Sequence, residues 1–349
     1  PVNLKMPNFG CSAFTMKNPD SVMMGRNYDF KNDTSSMLVY CSPKDGYRSV
    51  AFAALDNVGA NNPELSDETR LATLLSPFIS LDGINEKGVS IAVLTFDSKP
   101  VRQQSGKPVI ATTLAIRLIL DRAASTEEAV TLFEKYDMFA SSGRDYHFYV
   151  TDSNGDGRVI EYDCNSDDRK LVVTKSPAVT NFFVMYKNFV KPYQKNGVYG
   201  HGRERYDKII NILEKNNIYT KETAWEALVS ASQAPNPNDI TSNTQWSIVY
   251  DNTNLTADIS IRRDWNTVTK YSLKENKITD DSTKAQFSIV VSNPPYSVDA
   301  FKGDLRNIDA GKDFSLYSSL TDRSKEIESL FVERTKQLLK DGGVAGIVL

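Results

Sequence analysis

Two histidines, three cysteines and a net charge of −3 are what this 349-residue chain has little of, and each shortage closes off a class of chemistry. With only His147 and His201, a Ser–His–Asp or Cys–His relay has few candidates, and a zinc centre lacks its usual ligands. His147 also falls in a predicted strand, where a structural role is the plainer reading. Cys11, Cys41 and Cys164 cannot build a disulfide framework; at most Cys41 pairs with Cys164. A charge so near zero leaves no basic footprint for nucleic acid. No apolar run approaches the ~20 residues that span a bilayer. The first residues do not read as a secretory signal, and the chain begins at Pro1 rather than Met. The expectation is therefore a soluble protein, cytoplasmic or exported with its signal already removed, whose chain has been trimmed or is a fragment.

What remains is ordinary globular composition: 40% hydrophobic and 24% charged residues, enough chain for one large domain or two smaller ones. Short strands are predicted at 13–16, 22–29 and 37–40, and an apolar, Val- and Ile-rich strand from Gly88 to Phe96. Thr112–Arg122 carries apolar residues at helical spacing. Ser125, with Glu128 three residues on, caps a second helix. Strands at 146–151 and 158–162 flank a polar turn. Helices follow at 204–214 and 223–231, then strands with alternating character at 246–251 and 257–262. Strands, then helices, then strands again fit a layered α+β sandwich. The polar turn holds Asp152, Asn154, Asp156, Gly157 and Asp163 at calcium-loop spacing, but that loop needs a helix on each side. Between two strands it reads as a plain β-turn.

The candidate chemistry lies near the amino end. Gly10-Cys11-Ser12-Ala13-Phe14 is followed by Gly25-Arg26-Asn27-Tyr28-Asp29-Phe30. A cysteine freed at its own amino end offers a thiol to attack and an α-amine to take the proton. A nearby guanidinium favours the thiolate, which is the reactive form. On residue types alone the alternative stays open: a buried small apolar cysteine beside a surface Arg–Asp pair.

This stretch resembles the start of the choloylglycine hydrolase and penicillin V acylase family, linear-amide C–N hydrolases of the N-terminal-nucleophile class; acid ceramidase-like amidases share the pattern. The likeness continues in order through Asp82-Gly83-Ile84-Asn85-Glu86-Lys87-Gly88-Val89, Val179-Thr180-Asn181, Arg205-Tyr206 and Thr244-Gln245-Trp246-Ser247-Ile248-Val249-Tyr250, over roughly residues 9–275. The resemblance implies a four-layer αββα sandwich. It implies Cys11 as nucleophile, Arg26 supporting the thiolate, and Asp29 holding the freed α-amine. Asn181 would donate to the oxyanion, Arg205 would brace the network, and the backbone N–H of Thr95 would be a second oxyanion donor. Bile-salt-cleaving members usually carry Asn where this chain has Thr95, which puts that specificity in doubt. Because ten residues precede Cys11, the resemblance also implies self-cleavage at Gly10–Cys11, an open carbonyl next to the smallest residue. A small-molecule amide is the expected substrate, with no cofactor or metal, no nucleic acid for this domain and no membrane span; a homo-oligomer stays open.

The tail differs. From about Thr279 the composition changes, and Phe287-Ser288-Ile289-Val290-Val291-Ser292 runs into Asn293-Pro294-Pro295-Tyr296. This resembles the catalytic loop of amino-group adenine DNA methyltransferases, and a predicted helix at 324–340 followed by a strand at 342–349 continues the likeness. In that family the Asn and a proline carbonyl accept from the amine of a flipped base, and the aromatic ring stacks on it. A Gly-rich loop to hold S-adenosylmethionine is missing upstream. The domains expected are thus a propeptide-like segment at 1–10, the amide hydrolase at 11–278 and a partial methyltransferase-like α/β fragment at 279–349. The rival readings are a DNA adenine methyltransferase and an unprocessed, inactive precursor.

Overall fold

In the computed structural model, residues 10–31, 34–61, 71–140, 143–195, 197–236, 242–278, 287–292, 314–316 and 328–347 are described. Chain order explains the layers. The first strands, β1 (Gly10–Lys17) and β2 (Val22–Phe30), form an antiparallel hairpin in which Cys11 lies opposite Tyr28 and Ala13 opposite Arg26. The chain then leaves this sheet for a second one. There β3 (Ser36–Cys41), β4 (Ser49–Ala54), β5 (Ser80–Asn85) and β6 (Ser90–Phe96) pair antiparallel in sequence order. After β7 (Val109–Ala111), two helices and β8 (Asp137–Phe139), the second sheet resumes with β9 (Asp145–Thr151), β10 (Arg158–Tyr162) and β11 (Leu171–Lys175). β7 and β8 form a small parallel pair of their own.

The chain returns to the first sheet with β12 (Ala178–Val179). After two more helices it adds β13 (Asn243–Asp251), β14 (Thr256–Ile261), β15 (Thr269–Ser272) and β16 (Lys277–Ile278), giving the order β12-β1-β2-β13-β14-β15-β16. The second sheet reads β11-β10-β9-β6-β5-β4-β3-β17-β18. Its last two strands, β17 (Phe287–Ser292) and β18 (Leu339–Ile347), run parallel around the helix Glu328–Leu338, and β17 joins β3 at Val291–Val39. This is the C-terminal α/β piece. Asn293–Tyr296 lies outside the described residues.

The sheets stack face to face. The Tyr149 hydroxyl of β9 donates to Thr15 Oγ1 of β1, and Trp246 Nε1 of β13 donates to Asp82 of β5. Helices cover both outer faces. Thr112–Arg122 buries Thr112, Ala115, Ile116, Ile119 and Leu120 along one stripe, and Asn85 of β5 donates to its last carbonyls. On the other side Asn27 of β2 donates to Leu228 O in the helix Lys221–Ala231. The result is the αββα sandwich.

Local expectations meet the structure with a few differences. Ser125 accepts from Glu128 N at 3.1 Å as the cap of Thr126–Glu134, an interaction typically worth ~1 kcal/mol. The strand expected from Gly88 begins at Ser90, because Asn85 bonds the backbone N–H groups of Lys87 and Val89 and closes a turn first. β13 does not alternate. All nine of its residues are buried, since it lies between the second sheet and a helix. The polar loop at 152–157 connects two strands, and Asp152 accepts from Asn154 N and Thr126 N. Among the described residues no cluster of three His, Cys, Asp or Glu is placed to hold a metal ion. The three cysteines are free, so Cys41 and Cys164 do not pair. No described helix is long and apolar enough to cross a membrane.

Candidate active site

Cys11 is the second residue of β1 and is 2% exposed. Burial pushes its thiol above the ordinary 9.0. The Arg26 charge opposes this and the Asp29 charge adds to it, while hydrogen bonds from the Asp29 backbone and Arg26 favour the thiolate. Burial is the largest of these influences, and the net shift favours the neutral thiol.

Arg26 belongs to the neighbouring strand and is fully buried. Its guanidinium is held on every side: Nε to Asp82 at 3.3 Å, Nη1 to the Asn27 carbonyl and Nη2 to the Val93 carbonyl, both at 2.9 Å. Asp82 also accepts from Trp246 Nε1 at 3.1 Å and from the Tyr250 hydroxyl at 2.5 Å. Burial pushes the Asp82 carboxyl up, and Arg26, Tyr250 and Trp246 pull it back. A buried arginine with one carboxylate and two carbonyls has its charge compensated and its direction set.

Asn181 follows β12 and is fully buried. Its Oδ1 accepts from the Cys11 backbone N–H at 2.7 Å and from Arg205 Nη2 at 2.8 Å, and its Nδ2 donates to the Thr95 carbonyl at 2.5 Å. Two donors on one side and a carbonyl on the other allow only this orientation of the amide. One Nδ2 hydrogen is used on Thr95, and the amide nitrogen carries a second. The strand edge explains Thr95. β5 pairs with β6 only as far as Ala92, so beyond it the β6 edge turns its groups to the site. Val93 O takes Arg26 and Thr95 O takes Asn181. In an antiparallel strand a residue's N–H and C=O leave on the same edge, so the Thr95 N–H shares that side.

Arg205 lies in the first turn of the helix Arg203–Lys215, and its side chain folds back toward the N-cap Gly202. Nη1 donates to the Cys11 carbonyl at 2.6 Å and lies 3.8 Å from Asp29 Oδ2. The preceding Gly202 has φ +85°, and a Cβ there would lie 2.3 Å from Arg205 Nη2, so the fold-back needs glycine at this cap. Asp29, the penultimate residue of β2, is buried and accepts from Thr244 Oγ1 at 2.6 Å and Gln233 Nε2 at 2.7 Å. Burial pushes its carboxyl up; Arg205 and these two donors oppose the shift. It stands beside Gly10, whose added Cβ would lie 2.7 Å from Asp29 Oδ2, while the Cys11 N–H is held by Asn181.

Cys11, Arg26, Asp29, Asn181 and Arg205 thus meet in one buried cluster, and Thr95 joins it through its carbonyl. Cys41 and Cys164 lie elsewhere, half-buried, and His147 pairs with Glu161. Sequence reasoning missed Asp82, Gln233 and Tyr250 as members. Asp82 carried a usable signal, a carboxylate inside the otherwise uncharged strand Ser80–Asn85.

Comparison with known proteins comes to the same fold. A profile of the acyl-coenzyme A:6-aminopenicillanic acid acyl-transferase family matches residues 16–264. Among solved structures, a variant of conjugated bile acid hydrolase from Clostridium perfringens is 14% identical, with a TM-score of 0.55 over 76% of this chain and 94% of that one. Penicillin V acylase from Agrobacterium tumefaciens is 16% identical, with a TM-score of 0.52 over 75% of this chain and 84% of its own. No curated protein sequence matches. The methyltransferase likeness of residues 279–349 gains no support from these comparisons, and the family match ends before that segment begins.

Proposed function

We infer that this chain, which belongs to the acyl-coenzyme A:6-aminopenicillanic acid acyl-transferase family, is an amidase that cleaves a linear C–N bond through a thioester on Cys11. The observation that carries the reading is the Asn181 amide. It is oriented by Cys11, Arg205 and Thr95 together, with an N–H to spare beside a buried cysteine.

The reaction needs a base; the His147 ring is paired with Glu161, and His201 meets the cluster through its backbone N–H on the Asn181 carbonyl. In the uncut chain the Cys11 nitrogen is an amide with no basic lone pair. The thiol first attacks the Gly10 carbonyl, the C–N bond breaks, and the freed nitrogen takes the proton. Water then hydrolyses the Gly10 thioester, releasing residues 1–10. The new α-amine, with an ordinary pKa of ~7.7–8.0, accepts the thiol proton in each later cycle. In this reading Asp29, whose Oδ2 lies beside Gly10, holds that amine. Arg26 stabilises the thiolate. The substrate oxyanion is met by Asn181 Nδ2 and the Thr95 N–H; one such donor is typically worth ~2.7–4 kcal/mol of barrier. The amine leaves with the proton and the acyl group stays on Cys11 until water takes it. The family's name favours a second reading, in which an amine takes the acyl group in place of water. Residues 11–278 are the catalytic unit in both readings.

The test is a panel of amides: penicillin V, conjugated bile salts, N-acyl amino acids and acyl-homoserine lactones, with and without an added amine acceptor. Turnover of at least one, abolished in Cys11→Ala with the melting temperature kept, is the expected result. Equal turnover by the alanine variant, or by a chain shown by mass to start at Pro1, refutes the mechanism.

A further inference from the structure

We propose that Glu161, together with His147, is a positioning residue for the oxyanion side of this site, a role that rests on the reading of Asn181 as the donor. Glu161 lies in β10 and His147 in β9, and both are fully buried. Glu161 Oε1 accepts from Val184 N–H at 2.7 Å and from His147 Nδ1 at 3.1 Å, and Oε2 accepts from Met185 N–H at 3.0 Å. No lysine or arginine pairs with this carboxylate among the described residues. Burying a carboxylate is expensive unless its oxygens are satisfied. Here two consecutive backbone N–H groups and an imidazole satisfy them. An apolar pair would fill the same space at lower desolvation cost, but it could not hold the backbone of 184–185.

What that backbone positions is Asn181, three residues earlier. Asn181 stands beyond the two-residue strand β12, so no long ladder fixes it. Its own carbonyl is held by His201 N–H at 2.8 Å, and the chain after it is held by Glu161. A second path runs through rings. His147 meets Phe96 edge-on at 4.7 Å, and Phe96 meets Phe183 at 4.4 Å. Phe96 follows Thr95, whose carbonyl receives Asn181 Nδ2. The buried pair therefore reaches both oxyanion candidates, Asn181 through the backbone and Thr95 through Phe96. A donor displaced by even an ångström loses much of its effect on a developing charge.

The test uses the full chain as Glu161→Ala and Glu161→Gln. Hydrolysis is measured on the most active amide of the panel above, and amide hydrogen exchange is followed at Val184, Met185, His201 and, as a control, Val150. In Glu161→Ala, kcat is expected to fall roughly 10- to 100-fold with KM within twofold, and Glu161→Gln, which keeps one acceptor oxygen, to recover part of it. His201 is expected to lose exchange protection along with Val184 and Met185, while Val150 keeps it. A kcat within twofold of wild type in Glu161→Ala overturns the proposal, as does lost protection at 184–185 with His201 unchanged. If Glu161→Ala does not fold, the same readings on Glu161→Gln decide, at a smaller amplitude. If wild type cleaves nothing in the panel, the functional reading fails, and the exchange pattern alone decides whether Glu161 positions Asn181.

Discussion

Replacing Gly10 by alanine should slow the release of residues 1–10 through one identifiable contact. A Cβ at this position would lie 1.8 Å from Gln233 Nε2 and 2.7 Å from Asp29 Oδ2. To regain ordinary van der Waals distance the Gln233 amide must withdraw by roughly 1.6 Å. Its 2.7 Å hydrogen bond to Asp29 then falls outside hydrogen-bonding range. A hydrogen bond to a charged group contributes about 1.5–3 kcal/mol. If that loss is felt in the cleavage step, the rate falls roughly 10- to 150-fold. The same contact should couple the two positions. Gln233→Ala removes the hydrogen bond and the nearer obstacle but leaves the 2.7 Å contact with Asp29 Oδ2, so Gly10→Ala should cost less on the Gln233→Ala background than on wild type. Intact-mass time courses of Gly10–Cys11 cleavage, with melting temperatures in parallel, measure all four members of the cycle. Additive effects, or wild-type cleavage by Gly10→Ala, would refute the close-contact argument.

Other outcomes follow from the same geometry. Asn181→Ala should lower kcat by roughly 100- to 1,000-fold and leave KM nearly unchanged, read from steady-state kinetics, because the donor acts on the transition state. Asp82→Ala strands the buried Arg26 guanidinium and two hydrogen-bond donors; a loss of ~3–5 kcal/mol is expected in denaturant unfolding, and a loss near 0.5 would mean Arg26 does not depend on Asp82. Asp137 accepts from the Ser105 hydroxyl and from the N–H groups of Ser105, Gly106 and Lys107, and these hold its carboxyl below the ordinary 3.8. Its stabilising effect is present above pH ~3.8 and fades as pH drops through the lower folded value, so Asp137→Asn should lower the melting temperature at pH 7 and converge on wild type in acid. An offset that is constant with pH would exclude the carboxylate charge as its source.

Much of this protein was legible in its residues because the signals are local. Helical spacing at 112–122, the Ser125 cap and the run of short strands depend on neighbours within a few positions, and they appear where expected. The family motifs likewise mark Cys11, Arg26 and Asp29 within one hairpin. What no local signal contains is that Asn181 meets Cys11 from 170 residues away and that Arg205 meets it from 194. Those contacts exist because β12 pairs with β1 and because Gly202 lets a helix begin beside them. Burial also belongs to the tertiary structure. The raised thiol of Cys11 and the raised carboxyls of Asp29 and Asp82 come from two sheets closing over them, an effect of packing rather than of residue type. Asp82 shows the division well. Its sequence neighbours make it an oddity in an uncharged strand, and only the opposite sheet, by bringing Arg26, Trp246 and Tyr250 to it, makes it a support for the site.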